Sequence, residues 1–265
     1  KEKKLTTGHA KILIGLDNPT HVANKIIEKK LSVRQAESLV RVFKMKKISI
    51  ITPTFNEQDN VRLMADAIAK VAEKEKKYKF EHIFIDNAST DKTVSNVSEL
   101  INEYPHIGLI VNNRNFGQLR SPFHALTLAE SDATIQLCSD MQEPPELIHD
   151  FLRKWENGAL VVGGVKESSE ENRFLFFLRG IYYKLLSAIT EHDLISQFTG
   201  FGLFDKSVVE EFRKINDLYP YSRGLISDLG FKVEVIKYRQ KEREFGSTKN
   251  NFFTLFDYAL VGMIS

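Results

Sequence analysis

Cysteine occurs once in this 265-residue chain, at Cys138. A single thiol excludes an internal disulfide and any zinc site built from several cysteines, and it suits a reducing compartment. Long apolar runs are missing as well: none approaches the ~20 residues needed to cross a bilayer. The chain opens Lys-Glu-Lys-Lys, with no apolar leader and no initiator Met, as expected of a processed fragment or one part of a fusion. No internal repeat or low-complexity segment is visible. An excess of one charge is also lacking, with 37 Lys and Arg against 35 Asp and Glu. The hydrophobic content of 42% and charged content of 27% are those of an ordinary globular protein.

The charge balance hides a break. Residues 1–44 carry ten Lys/Arg and four Asp/Glu, a net of +6, which leaves −4 for 45–265. Such a shift at one point suggests two pieces of different origin. The first piece reads as short helices. Thr6 opens one that runs on through Leu13 and Leu16, Asn18-Pro19-Thr20 breaks it and starts the next, and Ser32 caps a third over 33–43. The stretches Leu-Thr-Thr-Gly-His-Ala-Lys-Ile-Leu at 5–13 and Lys-Lys-Leu-Ser-Val-Arg-Gln-Ala-Glu at 29–37 resemble the ParB chromosome-partitioning family. The resemblance is to the part of its central domain that follows the helix-turn-helix. The family's recognition helix and nucleotide-binding arginine motif lie upstream of that part, so no sequence-specific nucleic-acid binding is expected. A non-enzymatic DNA-partitioning adaptor remains an alternative resting on residues 1–44 alone. Basic charge by itself gives weak, salt-sensitive binding.

From Met45 onward strands and helices alternate. Short apolar runs typical of buried strands lie at 48–52, 81–85, 107–111, 133–138 and 159–162, with helical patterns at 60–76, 92–103, 118–129 and 146–155 between them. This alternation predicts an α/β fold: a Rossmann-like, mostly parallel sheet with helices on both faces, plus the small all-helical N-terminal appendage. The second half is less regular. A polar loop at 166–172 precedes an aromatic helix at 174–189, then come a strand at 198–204, a helix at 206–215, a strand at 232–238 and a polar loop at 242–251. A terminal helix at 252–264 gathers Phe252, Phe253, Phe256, Leu260 and Met263 near one face, suited either to packing on its own domain or to a membrane interface.

Ligands of open α/β sheets bind at the carboxyl ends of strands, and that is where the chemistry-bearing residues fall. Pro53-Thr54-Phe55-Asn56-Glu57 follows the first strand, with an ordinary turn capped by Asn56 as the plain alternative. Asp86-Asn87-Ala88-Ser89-Thr90-Asp91 follows the second; a carboxylate at Asp86 can accept the ring N–H of uracil or guanine, while Asp91 suits a helix cap. Gly117 and Gln118 open a helix after the third strand, a natural phosphate position. The fourth strand ends in Cys138-Ser139-Asp140-Met141-Gln142-Glu143-Pro144-Pro145-Glu146.

Pro-x-Phe-Asn-Glu, Asp-x-x-Ser-x-Asp and Asp-Met-Gln-Glu-Pro-Pro-Glu together resemble family-2 inverting glycosyltransferases over 45–265, and most closely the polyprenyl-phosphate (dolichol-phosphate-type) sugar transferases. The resemblance implies a fold of the glycosyltransferase-A type. It implies a donor pocket of Pro53, Phe55, Asn56, Glu57, Asp86, Ser89, Asp91, Gly117, Gln118 and Ser139, with Ser247 and Lys249 from an Arg-Glu-Phe-Gly-Ser-Thr-Lys loop that closes on the donor diphosphate. Asp140, Gln142 and Arg243 take the catalytic places. Asp140 and Gln142 would hold Mg²⁺ or Mn²⁺, which needs only one or two carboxylates. The family's usual Asp-x-Asp is incomplete, since Cys138 stands in the first acidic place and a thiol is a poor ligand for either ion. Lys166, in place of the usual arginine, would meet the acceptor phosphate with Arg173 and Arg179.

The expected reaction is transfer of a sugar from a nucleotide-diphosphate sugar to a polyprenyl phosphate, by a peripheral enzyme on the cytoplasmic face of the cell membrane. A lipid phosphate ionises near pH ~6 and needs no strong base. A saccharide acceptor, the enzymatic alternative, would need one, with Asp193 or Glu191 as candidates. The resemblance leaves room for a homo-oligomer and does not choose between UDP and GDP.

Overall fold

A computed structural model describes residues 5–14, 16, 19–167, 198–215, 217, 220, 222–241 and 243. The chain divides into two compact units, Lys1–Lys46 with Lys77–Lys79, and Lys47–Lys76 with Phe80–Ser265.

Among the described residues the first unit has three helices, α1 (Thr7–Ile12), α2 (Pro19–Glu28) and α3 (Val33–Lys44). The caps expected at Thr6 and Ser32 form, while Asn18 lies outside the described residues. The Thr6 side chain accepts the His9 N–H while the His9 ring returns a bond to the Thr6 backbone, and Ser32 makes the same reciprocal pair with Gln35. Such boxes satisfy N–H groups that the first helical turn leaves unpaired. His9 is buried, and its Nε2 lies 3.0 Å from the Leu31 carbonyl, tying the start of α1 to the turn before α3. Val22, Ile26, Ala36 and Val40 form the small core.

The second unit is built on a seven-stranded sheet: β1 (Lys47–Thr54), β2 (Lys79–Asp86), β3 (Ile107–Val111), β4 (Ala133–Gln136), β5 (Val161–Lys166), β6 (Phe198–Asp205) and β7 (Val233–Tyr238), in the order β3-β2-β1-β4-β6-β5-β7. The β1–β4, β2–β3 and β5–β7 pairs are parallel, and β6 runs antiparallel between β4 and β5. Among the described residues its helices are α4 (Val61–Lys74), α5 (Thr93–Glu103), α6 (Gly117–Leu128), α7 (Ile148–Glu156, preceded by a 3₁₀ turn at Pro145–Leu147), α8 (Lys206–Lys214) and α9 (Ser222–Asp228). The expected alternation is borne out to within a few residues at each boundary. α9 was not expected: seven residues around Gly224 are too few to show a helical period.

Ile48, Ile50 and Ile51 are fully buried, as are their neighbours Ser49 and Thr52, so β1 is covered on both faces. Ile51 and Ile85 meet Ala125 of α6 and Ala129 just past its end. A second cluster joins Val161, Phe198 and Phe204 of the sheet to Val208, Val209 and Phe212 of α8. Between β5 and β6 the sheet needs glycine: a Cβ at Gly202 would lie 2.5 Å from the Val162 carbonyl oxygen.

Candidate active site

β2, β1 and β4 are neighbours in the sheet, so the loops at their carboxyl ends stand side by side. Each contains one non-glycine residue in the left-handed region: Asn56 (φ 55°), Ala88 (φ 64°) and Met141 (φ 59°). Such positions cost free energy, and they gather where a surrounding framework holds the chain for function.

The framework is a set of bonds between the first two loops. Asn56 N–H donates to Ser89 Oγ at 2.8 Å, and Thr90 N–H donates to Asn56 Oδ1 at 2.7 Å. Glu57 N–H donates to Thr93 Oγ1 at 2.8 Å, and the Glu57 carboxylate accepts from Asn60 Nδ2 at 2.6 Å. Asp91 accepts the Thr93 N–H and hydroxyl through Oδ1 and the Gln58 N–H through Oδ2, so both its oxygens serve the scaffold. Ser139 is likewise tied in, its hydroxyl donating to the Pro53 carbonyl at 3.0 Å, which joins the ends of β1 and β4. Phe55 is half-buried in the first of these loops.

Asp86 is fully buried at the end of β2. Its Oδ2 accepts the Ser89 N–H at 2.8 Å, whereas Oδ1 has no partner among the described residues. A buried polar atom left unpaired is costly, and a ligand N–H at that point would remove the cost.

Asn87 was overlooked in the sequence. Its Nδ2 donates to Asn115 Oδ1 and the Gly117 carbonyl, and its Oδ1 accepts from Asn112 Nδ2 and the Phe116 N–H. One amide thus ties the loop after β2 to the loop after β3. The only signal was an amide beside Asp86. Gly117 has φ 86°, which suits glycine, and opens α6 with Gln118 exposed beside it.

Asp140 stands in the turn after β4. Its Oδ1 accepts the Gln142 N–H at 3.3 Å, and its Oδ2 accepts from Arg243 Nη2 at 2.7 Å. Gln142 Nε2 donates to the Lys241 carbonyl, and Lys241 N–H donates to the Gln142 carbonyl. Arg243, distant in sequence, is therefore brought to Asp140 and Gln142. Glu143, also overlooked, is buried and accepts the Cys138 N–H at 2.9 Å across the base of the turn. Burial pushes the Cys138 thiol well above its ordinary pKa, helped by the Glu143 and Asp140 carboxylates and opposed by Lys166, so the thiol stays protonated. Lys166 ends β5 on this side of the sheet. Arg173, Arg179, Ser247 and Lys249 lie outside the described residues, as do Asp193, Glu191 and the aromatic and terminal helices.

The donor atoms decide what cation fits. No cluster of three or more His, Cys, Asp and Glu side chains suited to a metal occurs among the described residues. Asp140 lies in the turn with one oxygen on the Gln142 N–H and the other on Arg243, and the protonated Cys138 thiol is a poor partner for a hard cation. That set fits a hard divalent cation that takes most of its shell from a diphosphate and water; it does not fit a cage made wholly of protein.

A doubly covered, mostly parallel sheet with cross-tied loops at the ends of β1 and β2 and a carboxylate turn after β4 defines an α/β fold of the glycosyltransferase-A type. The chain belongs to glycosyl transferase family 2, whose model matches residues 49–213. A second model, the ParB HTH domain, matches residues 1–45. An uncharacterized glycosyltransferase of Bacillus subtilis, YkcC, is 30% identical over 202 residues, which is 76% of this chain and 62% of that one. The prophage bactoprenol glucosyl transferase homolog of Escherichia coli is 30% identical over 220 residues, covering 83% and 72%. Among solved structures, glucosyl-3-phosphoglycerate synthase from Mycobacterium tuberculosis, in complex with Mn²⁺, UDP and phosphoglyceric acid, has a TM-score of 0.56 at 15% identity, covering 83% of this chain and 76% of that one. This last likeness is one of fold. Among the described residues no helix is long and apolar enough to cross a membrane.

Proposed function

We propose that residues 45–265 form a metal-dependent inverting glycosyltransferase that moves a sugar from a nucleotide-diphosphate sugar to a polyprenyl phosphate, working peripherally on the cytoplasmic face of the cell membrane. Residues 1–44 are then a ParB-like helical piece joined to it, with no part in the chemistry. The observation that carries the donor half is the buried Asp86 Oδ1 at the end of β2, without a partner among the described residues, on the same edge of the sheet as the Asp140 turn with only β1 between their strands. The acceptor half draws its support from the bactoprenol glucosyl transferase relatives.

In this reading Asp86 takes the ring N–H of the base, and the loops at Asn56–Glu57 and Ser89–Asp91 shape the nucleoside pocket. Asp140, with Gln142 alongside, holds a divalent cation, which when bound neutralises charge on the departing diphosphate. Arg243 and Lys249 add cationic contacts to the same group, and Ser247 a hydroxyl. Lys166, Arg173 and Arg179 orient the acceptor phosphate. An ionised phosphate oxygen attacks the anomeric carbon from the face opposite the nucleotide. The new bond joins that carbon to the lipid phosphate, the bond to the diphosphate oxygen breaks, and the nucleoside diphosphate leaves with the electron pair. The nucleophile is already deprotonated, so no proton needs removing, and the chain's task is positioning and charge stabilisation.

Calorimetric titration of UDP and GDP, each with and without Mn²⁺, on the wild type and on Asp140→Ala tests the donor site. Metal-dependent binding of one nucleotide, lost in the variant, is expected. Folded protein that binds neither nucleotide removes the donor reading.

A further inference from the structure

The Asp140–Arg243 contact occupies the place where the proposed function puts the cation. Nη2 lies 2.7 Å from Oδ2, and the two side chains are only 15% and 22% exposed for Asp140 and Arg243. A carboxylate so enclosed is expensive to leave without a positive partner. Glu143, which accepts the Cys138 N–H across the base of the turn, is a further carboxylate and supplies none. The ion pair is not the only tie between Arg243's neighbourhood and the turn. Two residues earlier, Lys241 is bonded in both directions to Gln142, at 3.2 and 3.3 Å. The guanidinium can therefore leave Asp140 by side-chain rotation while Lys241 stays docked.

We propose that Arg243 and the divalent cation compete for Asp140, so that cation and nucleotide diphosphate bind this site cooperatively through the movement of one guanidinium. The idea rests on the donor-site reading above and adds to it a rule for how the site fills. A cation arriving alone must displace Arg243 from Asp140 and then sit close to its positive charge. A diphosphate arriving alone draws Arg243 away and faces a bare carboxylate. When both arrive, Asp140 takes the cation and Arg243 takes the diphosphate oxygens, for which a planar guanidinium is well matched. Each ligand then tightens the other by the same factor.

The test uses the full chain and free Mn²⁺ measured by electron paramagnetic resonance, with and without UDP or GDP. Arg243→Gln should bind Mn²⁺ alone about tenfold more tightly than wild type, and the factor by which nucleotide tightens Mn²⁺ should fall by about tenfold, a size typical of coupling between ligands. Arg243→Lys should fall between the two. Asp140→Asn should abolish Mn²⁺ binding with either residue at 243. The proposal is overturned if Arg243→Gln, with a native melting curve, binds Mn²⁺ alone no better than wild type. It is equally overturned if nucleotide still tightens Mn²⁺ by the wild-type factor in that variant, or if Mn²⁺ binding survives Asp140→Asn. Should wild type bind neither nucleotide, the donor reading fails, and the comparison with Mn²⁺ alone still decides whether Arg243 competes.

Discussion

Asn87 shows how much a single amide can organise. It is 6% exposed and makes four hydrogen bonds to the 112–117 stretch. Asn87→Ala would leave several of those partners unsatisfied and release the loop in front of α6. Donor nucleotide affinity should drop by about tenfold, with about 2–3 kcal/mol of stability lost, as read by calorimetry and urea unfolding. Unchanged affinity would show that the third loop does not shape the donor pocket. His82 makes a different demand. It is fully buried on β2 with Nε2 2.9 Å from Thr52 Oγ1, and burial, aided by His106, pushes its pKa down to about 3. The unfolded chain takes up this proton near pH ~6.5, whereas the folded chain resists it until about pH 3. Stability is therefore fully present above pH ~6.5 and lost as the pH falls through that window, by on the order of 4–5 kcal/mol. His106, also lowered by burial, acts in the same direction. Urea unfolding between pH 7 and pH 4 should show a shallower pH dependence for His82→Gln, whatever that variant's stability at pH 7.

At the scale of elements, β6 does what no local pattern foretold. It enters antiparallel between β4 and β5, and Gly202 lies opposite both Gln136 and Gly163. With a Cβ only 2.5 Å from a backbone carbonyl, Gly202→Ala must push the two strands apart. We expect about 3 kcal/mol of destabilisation or more, visible as a lowered urea midpoint, and weaker nucleotide binding because β4 leads into the Asp140 turn. A wild-type midpoint would mean the strands yield more easily than the contact implies. β5 was read from its apolar residues as ending at Val162, yet it continues to Lys166. Gly163 and Gly164 lie within it and leave room for the rings of Phe198 and Phe201. The helices were easier to read, since α4 and α5 place apolar residues at helical spacing and the sheet buries them.

At the scale of the whole molecule, the two units carry different charge, and this has a measurable consequence. The basic first piece should give the full chain a weak attraction to duplex DNA that fades between 50 and 200 mM salt and does not distinguish sequences. Fluorescence anisotropy with several duplexes checks this, and tight, sequence-selective binding at 200 mM salt would make the first unit a recognition module after all. The order of strands and helices, the capping residues of the first unit, and the placing of Asp86 and Asp140 at strand ends followed from the sequence by itself. Those features rest on local periods and on short-range bonds between residues a few positions apart. The tertiary structure alone decided the insertion of β6, the clamp made by Asn87, the exhaustion of the Asp91 oxygens by the scaffold, and the pairing of Asp140 with Arg243. These depend on which strands lie side by side and on what fills the space between them, and a one-dimensional pattern carries neither.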